Sequence, residues 1–277
     1  MRFLLSPRWI IGHLLVLAIC LACISLGIWQ LDRLGQRRLN NEVHGARYAA
    51  SPTPLHEAVT AIGPDVDSLE FRRITATGQY RPDEEFLIRS QVRQGRAGFD
   101  VVTPLETSDG VILVDRGWVP LEFDTVPVAA APPPAGTVTV EGMVRLSATR
   151  GALGANDDTG TRPDVISRVD VDLLGRYVDG DMLPFYLAVV GPGESTALPV
   201  PADPPDFTDQ GPHLNYAIQW FSFAAIGIIG YGLLIRRAAR RDSSGGEPFD
   251  HLDAVEVGQI PSRHPDLGGP GPGPDDD

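Results

Sequence analysis

The residues best equipped for chemistry crowd the start of the last apolar stretch of the chain, where His213, Asn215, Tyr216, Gln219 and Trp220 follow one another within about two helical turns. Side chains of these types hydrogen-bond, stack or ligate. Spacings of three and four place His213, Tyr216, Ala217, Trp220 and Ala224 on one face of a helix. An imidazole with indole and phenol walls is a donor set for a metal-bearing or aromatic ligand. The first apolar stretch ends on Trp29, Gln30 and Arg33, and an arginine there can form bidentate, charge-assisted bonds with a carboxylate. A plainer reading stands beside this one: Trp and Tyr collect at membrane interfaces in many proteins, and a lone interfacial histidine usually binds nothing. A third group, Arg116-Gly117-Trp118, lies in mid-chain. Its glycine reads as a bulge. Trp118 then reads as a core anchor with Arg116 paired to a carboxylate on a neighbouring strand, or the two residues read as a partner-docking pair.

Other chemistries find little support. All 23 basic residues are arginine, which removes Schiff-base chemistry and the lysine of a phosphate-binding loop. Gly-x-Ser-x-Gly and His-x-x-His are both absent, and the six histidines are scattered. Cys20 and Cys23 share a helix face within the first apolar stretch. Lacking further ligands of the usual kind, they read as small hydrophobes and not as a metal or redox pair. His13, near the start of that stretch, reads as a polar group reaching lipid headgroups.

Two helices must position the first two groups. Leu214 to Ile235 is uncharged over 22 residues, enough at about 1.5 Å per residue to cross a hydrocarbon core of about 30 Å. Trp9 to Trp29 is uncharged over 21 residues, longer than the apolar core of a signal peptide, and reads as an uncleaved anchor. Arg236, Arg237, Arg240 and Arg241 follow the second span, while Asp203, Asp206 and Asp209 precede it. The positive-inside rule therefore puts its C-terminal end in the cytoplasm, and two spans bring both termini to that side. Arg33, Arg37 and Arg38 break the rule beyond the first span, although long translocated domains largely escape it. The expected protein is a multi-pass component of the cell membrane. Residues 1–8 are cytoplasmic, 9–29 the first span, 30–213 extracytoplasmic, 214–235 the second span, and 236–277 a cytoplasmic basic flank with an acidic tail.

Between the spans, Leu31 to Ala50 keeps a polar helical character, and Ser51 to Pro64 reads as a proline-rich loop. Strands follow. Ile74, Ala76, Gly78 and Tyr80 alternate with polar neighbours; Phe86, Ile88 and Val92 alternate with Leu87, Arg89 and Gln91. Val101–Leu105 and Val111–Val114 flank Asp109-Gly110, a hairpin signal. Ala129 to Gly136 reads as a stiff linker, Val138 to Leu146 as a strand of period two, and Phe185 to Val190 as a strand apolar on both faces. Asn156 to Thr161 reads as a mobile loop, and Asp170 as the cap of a short helix. The fold class is thus two transmembrane helices flanking a mainly antiparallel β domain with minor short helices.

The net charge of −13 belongs largely to the tail, where residues 242–277 carry nine acidic side chains against Arg263 amid Gly and Pro. Such a segment has too little apolar surface to order itself and reads as disordered. No basic surface points to nucleic acid.

Three segments carry a resemblance. Leu26-Gly27-Ile28-Trp29-Gln30-Leu31-Asp32-Arg33, Val114-Asp115-Arg116-Gly117-Trp118-Val119-Pro120 and His213-Leu214-Asn215-Tyr216-Ala217-Ile218-Gln219-Trp220-Phe221 resemble the three signatures of the Surfeit locus protein 1 family, in the right order over about residues 9–237. The resemblance implies an assembly factor for cytochrome c oxidase and not an enzyme, acting when haem a enters the catalytic subunit. Its partners would be oxidase subunits, the lipid bilayer and proteins that make or deliver haem. A transient haem a would then find an iron ligand in His213, aromatic walls in Tyr216, Trp220 and Trp29, and polar partners in Gln30 and Arg33, the last suited to a porphyrin propionate. Two alternatives stay open: a permanent accessory subunit of a respiratory assembly, and an anchored binding domain unrelated to respiration.

Overall fold

The first apolar stretch folds as α1, Pro7–Ala49, in the computed structural model of the chain, which describes residues 5–61, 65–149, 156–158, 160–191 and 197–244. With 43 residues, α1 is about twice as long as a bilayer core requires. The helix persists beyond Leu31 because no proline interrupts it until Pro52, whose ring disfavours helical geometry just before it. Then come β1 (Thr53–Pro54), α2 (Leu55–Ala61), β2 (Arg73–Tyr80), β3 (Phe86–Arg93), β4 (Arg96–Thr107), β5 (Gly110–Pro120), β6 (Thr137–Leu146), β7 (Val165–Ile166), α3 (Val171–Leu174), β8 (Met182–Ala188) and α4 (His213–Ser244).

The chain divides into two units, Met1–Cys23 with Ser222–Asp277, and Ile24–Phe221. In the first, helix packing is local and tight. Cys20 and Cys23 are free and buried, and Cys20 Sγ lies 4.0 Å from Ala224 O. His13, expected among headgroups, meets Tyr231 Oη through Nδ1 at 2.7 Å. Large apolar side chains such as Leu14, Leu17, Ile226 and Ile229 are exposed, and α1 and α4 are both long and apolar enough to cross a membrane.

The second unit is a small barrel. β2, β6, β8, β5 and β4 are hydrogen-bonded in that order, and β4 pairs back onto β2, so five strands close on themselves. The pairings are antiparallel except between β5 and β8. Closure rests on Gly78, opposite Thr107: a Cβ there would stand 2.1 Å from Glu106 O, so only glycine lets the two strands meet. Every strand of the ring feeds the interior, through Ile74, Leu105, Ile112, Val144, Phe185 and Leu187. Leu55 and Ala58 of α2 join this core. The segment read as a loop, Ser51 to Pro64, therefore holds a short strand and a helix, because an apolar pair three residues apart finds the barrel to bury against. Residues 62–64 lie outside the described residues, as do 1–4 and the tail beyond 244.

Other expectations shift in detail. The hairpin pairs Thr107 with Gly110, leaving Ser108 and Asp109 as the turn. β3 does not keep one register: a bulge between Ile88 and Gln91, with Ser90 at φ 64, turns Val92 outward while Leu87 is fully buried. The linker read at Ala129–Gly136 is packed in part, since Ala131 and the preceding Val128 pack with Leu87, Val101 and Val119. Within the loop read at Asn156–Thr161, Asp157 is anchored: it accepts from Ser167 N at 3.0 Å and faces Arg89 at 3.4 Å. Residue 159 is outside the described set. Asp170 does cap α3, accepting from Leu173 N at 3.1 Å.

One polar cluster sits inside this framework. Glu85 is fully buried and Arg116 is 7% exposed. Arg116 Nη2 donates to Glu85 Oε2 at 2.8 Å and to Ala131 O at 2.8 Å, while Nε donates to Thr103 Oγ1 at 2.8 Å. Thr103 Oγ1 donates in turn to Glu85 Oε2 at 2.7 Å, and Val128 N to Glu85 Oε1 at 2.8 Å. Each buried charge is thus met by a charge and by further hydrogen bonds. Arg116→Met leaves Glu85 uncompensated and is expected to cost about 3–5 kcal/mol in thermal or denaturant unfolding of the detergent-solubilised chain. The pair of changes Arg116→Met with Glu85→Leu should cost less than Arg116→Met alone; a double variant that is less stable would show that the ion pair is not the unit at risk.

Candidate functional site

The polar half of α1 prepares the start of α4. Arg37 Nη2 faces Asp209 Oδ2 at 3.4 Å, Arg38 Nε donates to Gln210 Oε1 at 2.9 Å, and Asn41 Nδ2 donates to Asp209 O at 2.8 Å. Asp209 Oδ1 also accepts from Gly211 N at 2.8 Å. Arg37 and Arg38, which sit badly with the charge rule, are therefore the straps that fix the loop before α4. Farther along α1, His44 and Tyr48 stack with Phe71 and Phe207, which ties the same loop region to the barrel.

With that loop fixed, His213 stands beside Gln30. His213 Nδ1 lies 2.9 Å from Gln30 Oε1. An amide oxygen only accepts, so Nδ1 carries the hydrogen and Nε2 holds the lone pair. Next along the contact, Gly27 meets the ring of Phe221 so closely that a Cβ at 27 would fall 2.7 Å from Phe221 Cε1. Ala217 between them is 1% exposed. The first and third signature segments are thus two sides of one helix–helix contact.

The expected aromatic face divides. His213, Ala217 and Phe221, four residues apart, point into the contact, whereas Tyr216 lies about 60° round the helix and is 48% exposed. Trp220, seven residues past His213, is half-buried. On α1, Trp29 is exposed, with the Arg33 guanidinium over its ring at 5.7 Å. Arg33 Nη1 also donates to Gln36 Oε1 at 3.0 Å. Gln30 and His213 are brought into contact; Trp29, Arg33 and Tyr216 flank them as exposed side chains.

Arg116 and Trp118 part company. β5 carries one extra residue opposite Val101 and Val102. The bulge uses Gly117 at φ 121, where a Cβ would stand 2.2 Å from Val200 O. Residues two apart on a regular strand share a face, but here Arg116 turns toward Glu85 and Thr103 while Trp118 lies opposite Asp100. Arg116 is therefore not presented to a partner. Trp118 lines a cavity of about 260 Å³ together with Asp100 and Asp115. Burial pushes the Asp100 carboxyl up to about 6, against the pull of Arg93. Burial, with the neighbouring Asp100 charge, pushes Asp115 up to about 8. Sequence reasoning passed over Glu85, Asp100 and Asp115: Glu85 follows Glu84 in what looks like an exposed acidic turn, and the parity of Asp115 with Trp118 depends on the bulge.

A closed β-barrel in one chain with two helices of membrane-spanning length, α1 and α4, in contact through Gln30 and His213, defines the class. Comparison with known proteins gives the family. The sequence model of the SURF1 family matches residues 17–225. A SURF1-like protein of Mycobacterium bovis is 30% identical over 92% of this chain and 95% of its own length. SURF1-like proteins of Rickettsia felis and Monosiga brevicollis are 28% and 26% identical, over 79% and 84% of this chain and 94% and 91% of their own lengths. The chain belongs to the SURF1 family, whose members are in general assembly factors for cytochrome oxidase.

The Gly27–Phe221 contact makes its own prediction. Gly27→Val overpacks it and is expected to lower stability by about 1–3 kcal/mol, read as a lower unfolding temperature in detergent. Adding Phe221→Ala should recover most of the loss; no recovery would mean that the ring is not what the glycine accommodates.

Proposed function

We propose that this protein holds haem a for insertion into the catalytic subunit of cytochrome c oxidase, from a site at the paired ends of α1 and α4 on the extracytoplasmic side of the cell membrane. The observation that carries the reading is the contact of His213 Nδ1 with Gln30 Oε1 at 2.9 Å. A hydrogen bond to one ring nitrogen fixes the tautomer, orients the ring and raises the basicity of the other nitrogen, as partners of metal-bound histidines do. The donor set fits a haem. His213 Nε2 would offer a ligand to the iron, Trp29 and Tyr216 would supply exposed aromatic surface for the porphyrin, and Arg33 would suit a propionate. A bound haem would supply an iron centre that an imidazole nitrogen can hold.

The same arrangement favours release. Gln30 and His213 are held by the helix contact, but the flanking aromatic groups are exposed, so the side chains that would hold a cofactor are also open to the next protein. This supports a transient carrier that receives haem from proteins that make or deliver it and passes it to oxidase subunits. The Arg cluster at 236–241 supports a cytoplasmic C-terminal end for α4.

Full-length protein purified in mild detergent from cells making haem a should show a haem spectrum and co-elute with oxidase subunits. In His213→Ala, haem occupancy and oxidase content should fall while the amount of membrane-inserted protein stays the same. Gln30→Leu should bind haem about 10- to 100-fold more weakly. Unchanged haem and oxidase in His213→Ala would defeat the reading. For the orientation, protease added to spheroplasts should cut within residues 34–211 and spare a tag placed after Asp277; the reverse pattern would invert the topology.

A further inference from the structure

The start of α4 has a second face. His213 and Phe221 meet α1, and Ala217 between them is buried. Asn215 and Gln219 stand two residues either side of Ala217, so at about 100° per residue both lie about 160° round the helix from it. Both are exposed, and among the described residues neither side-chain amide has a hydrogen-bond partner. We propose that this face pairs with the same face of a second copy of the chain, the amides of Asn215 and Gln219 bonding across the seam to their own counterparts.

Depth makes the two amides costly where they stand. α4 is long and apolar enough to cross a membrane. Counted back from Ile235, the ~20 residues that a bilayer core requires reach Tyr216, which puts Gln219 inside the core and Asn215 at its edge. An amide turned to lipid forgoes the hydrogen bonds that water would supply. Polar side chains in spans are therefore found against other protein or a water-filled cavity, where bonds across a helix pair satisfy them. Nothing on α1 can serve, because α1 lies on the opposite side of α4.

Spacing, direction and chemistry select a second copy as the occupant. Asn215, Gln219, Ser222, Ile226, Ile229 and Leu233 are separated alternately by four and three residues, the repeat of a left-handed coiled coil, and the last three are exposed. The polar members come first and the apolar ones follow, so a helix running the same way matches like with like. Two copies inserted alike in one bilayer have parallel α4 helices, and a twofold axis along the membrane normal sets each residue against its own counterpart. A carboxamide carries both a donor and an acceptor, so two equal amides can exchange bonds, as two equal charges cannot. The next position of the repeat is Arg236, where like charges end the seam. The pairing leaves Gln30 and His213 as they are; it rests on α4 spanning the membrane and not on haem.

The test uses the full chain, labelled with a donor or an acceptor fluorophore on a tag after Asp277 and reconstituted together in phosphatidylcholine vesicles. Energy transfer should exceed that of random proximity at the same protein-to-lipid ratio, and unlabelled chain should compete it away. Gln219→Leu should weaken the association about 3- to 20-fold, the range for losing hydrogen bonds between helices in a membrane, and Gln219→Asn should weaken it less. His213→Ala should associate as the unaltered chain does, which keeps this test separate from the haem reading. In a chain carrying Cys20→Ala and Cys23→Ala, Ser222→Cys should be joined into a dimer by an added oxidant in native membranes, whereas Phe223→Cys, about 100° round the helix, should not. Transfer no greater than random proximity would overturn the proposal on the unaltered chain, whether or not the variants fold. So would transfer unchanged in Gln219→Leu, equal crosslinking at 222 and 223, or a crosslink from 222 to a different polypeptide and none to a second copy.

Discussion

The ion pair between Glu85 and Arg116 is the constraint on which the rest of the barrel depends. A fully buried carboxylate is tolerable only if its lone pairs are met, and here the donors come from three separate places: Arg116 on β5, Thr103 on β4 and the backbone at Val128. To bring the guanidinium to Glu85 while the neighbouring aspartate and tryptophan face the other way, β5 must bulge, and Gly117 is the residue that permits it. The Asp115-Arg116-Gly117-Trp118 run is therefore a local solution to one electrostatic problem, with a polar cavity as its by-product on the opposite face.

The second organising device is the length of α1. A helix that ended at the membrane surface would leave the entry to α4 hanging on a free loop. Because α1 runs on, Arg37, Arg38 and Asn41 clamp Asp209 and Gln210, and the clamp sets which residue of α4 meets which residue of α1. Gln30 and His213, 183 positions apart in sequence, are placed by bonds that neither of them makes. Polar groups thus do the positioning, and the tight Gly27–Phe221 packing fixes the spacing.

Much of this was legible in the sequence, and what was not has physical reasons. Both long helices, the β2 alternation, the hairpin near Gly110 and the Asp170 cap follow from periodicity and turn chemistry. His213 and Gln30 were visible as a cluster because they stand where apolar stretches end. Hidden were the features that depend on a single misfit residue. The bulge at Ser90 reverses the facing of Val92, and a period-two reading carries straight through it; the bulge at Gly117 and a carboxylate partner for Arg116 were legible from the glycine, but not that Glu85, just ahead of β3, is that partner. Barrel closure was hidden too, since nothing in Gly78 by itself says that Glu106 will approach it. The outward turn of Tyr216 follows from which line of α4 packs, and that line is chosen by Gly27 on another helix.

Closing the barrel also disposes of its edges. The sheet ends on β1 and β7, each two residues long, and the part of β3 beyond Leu87 and Ile88, which β7 leaves uncovered, carries the bulge at Ser90, a distortion that hinders a foreign strand from pairing there. A protein that handles incompletely assembled partners is thereby shielded from strand addition, by them or by copies of itself. Recognition is left to side chains and loops, where each contact can be altered separately without opening a route to aggregation.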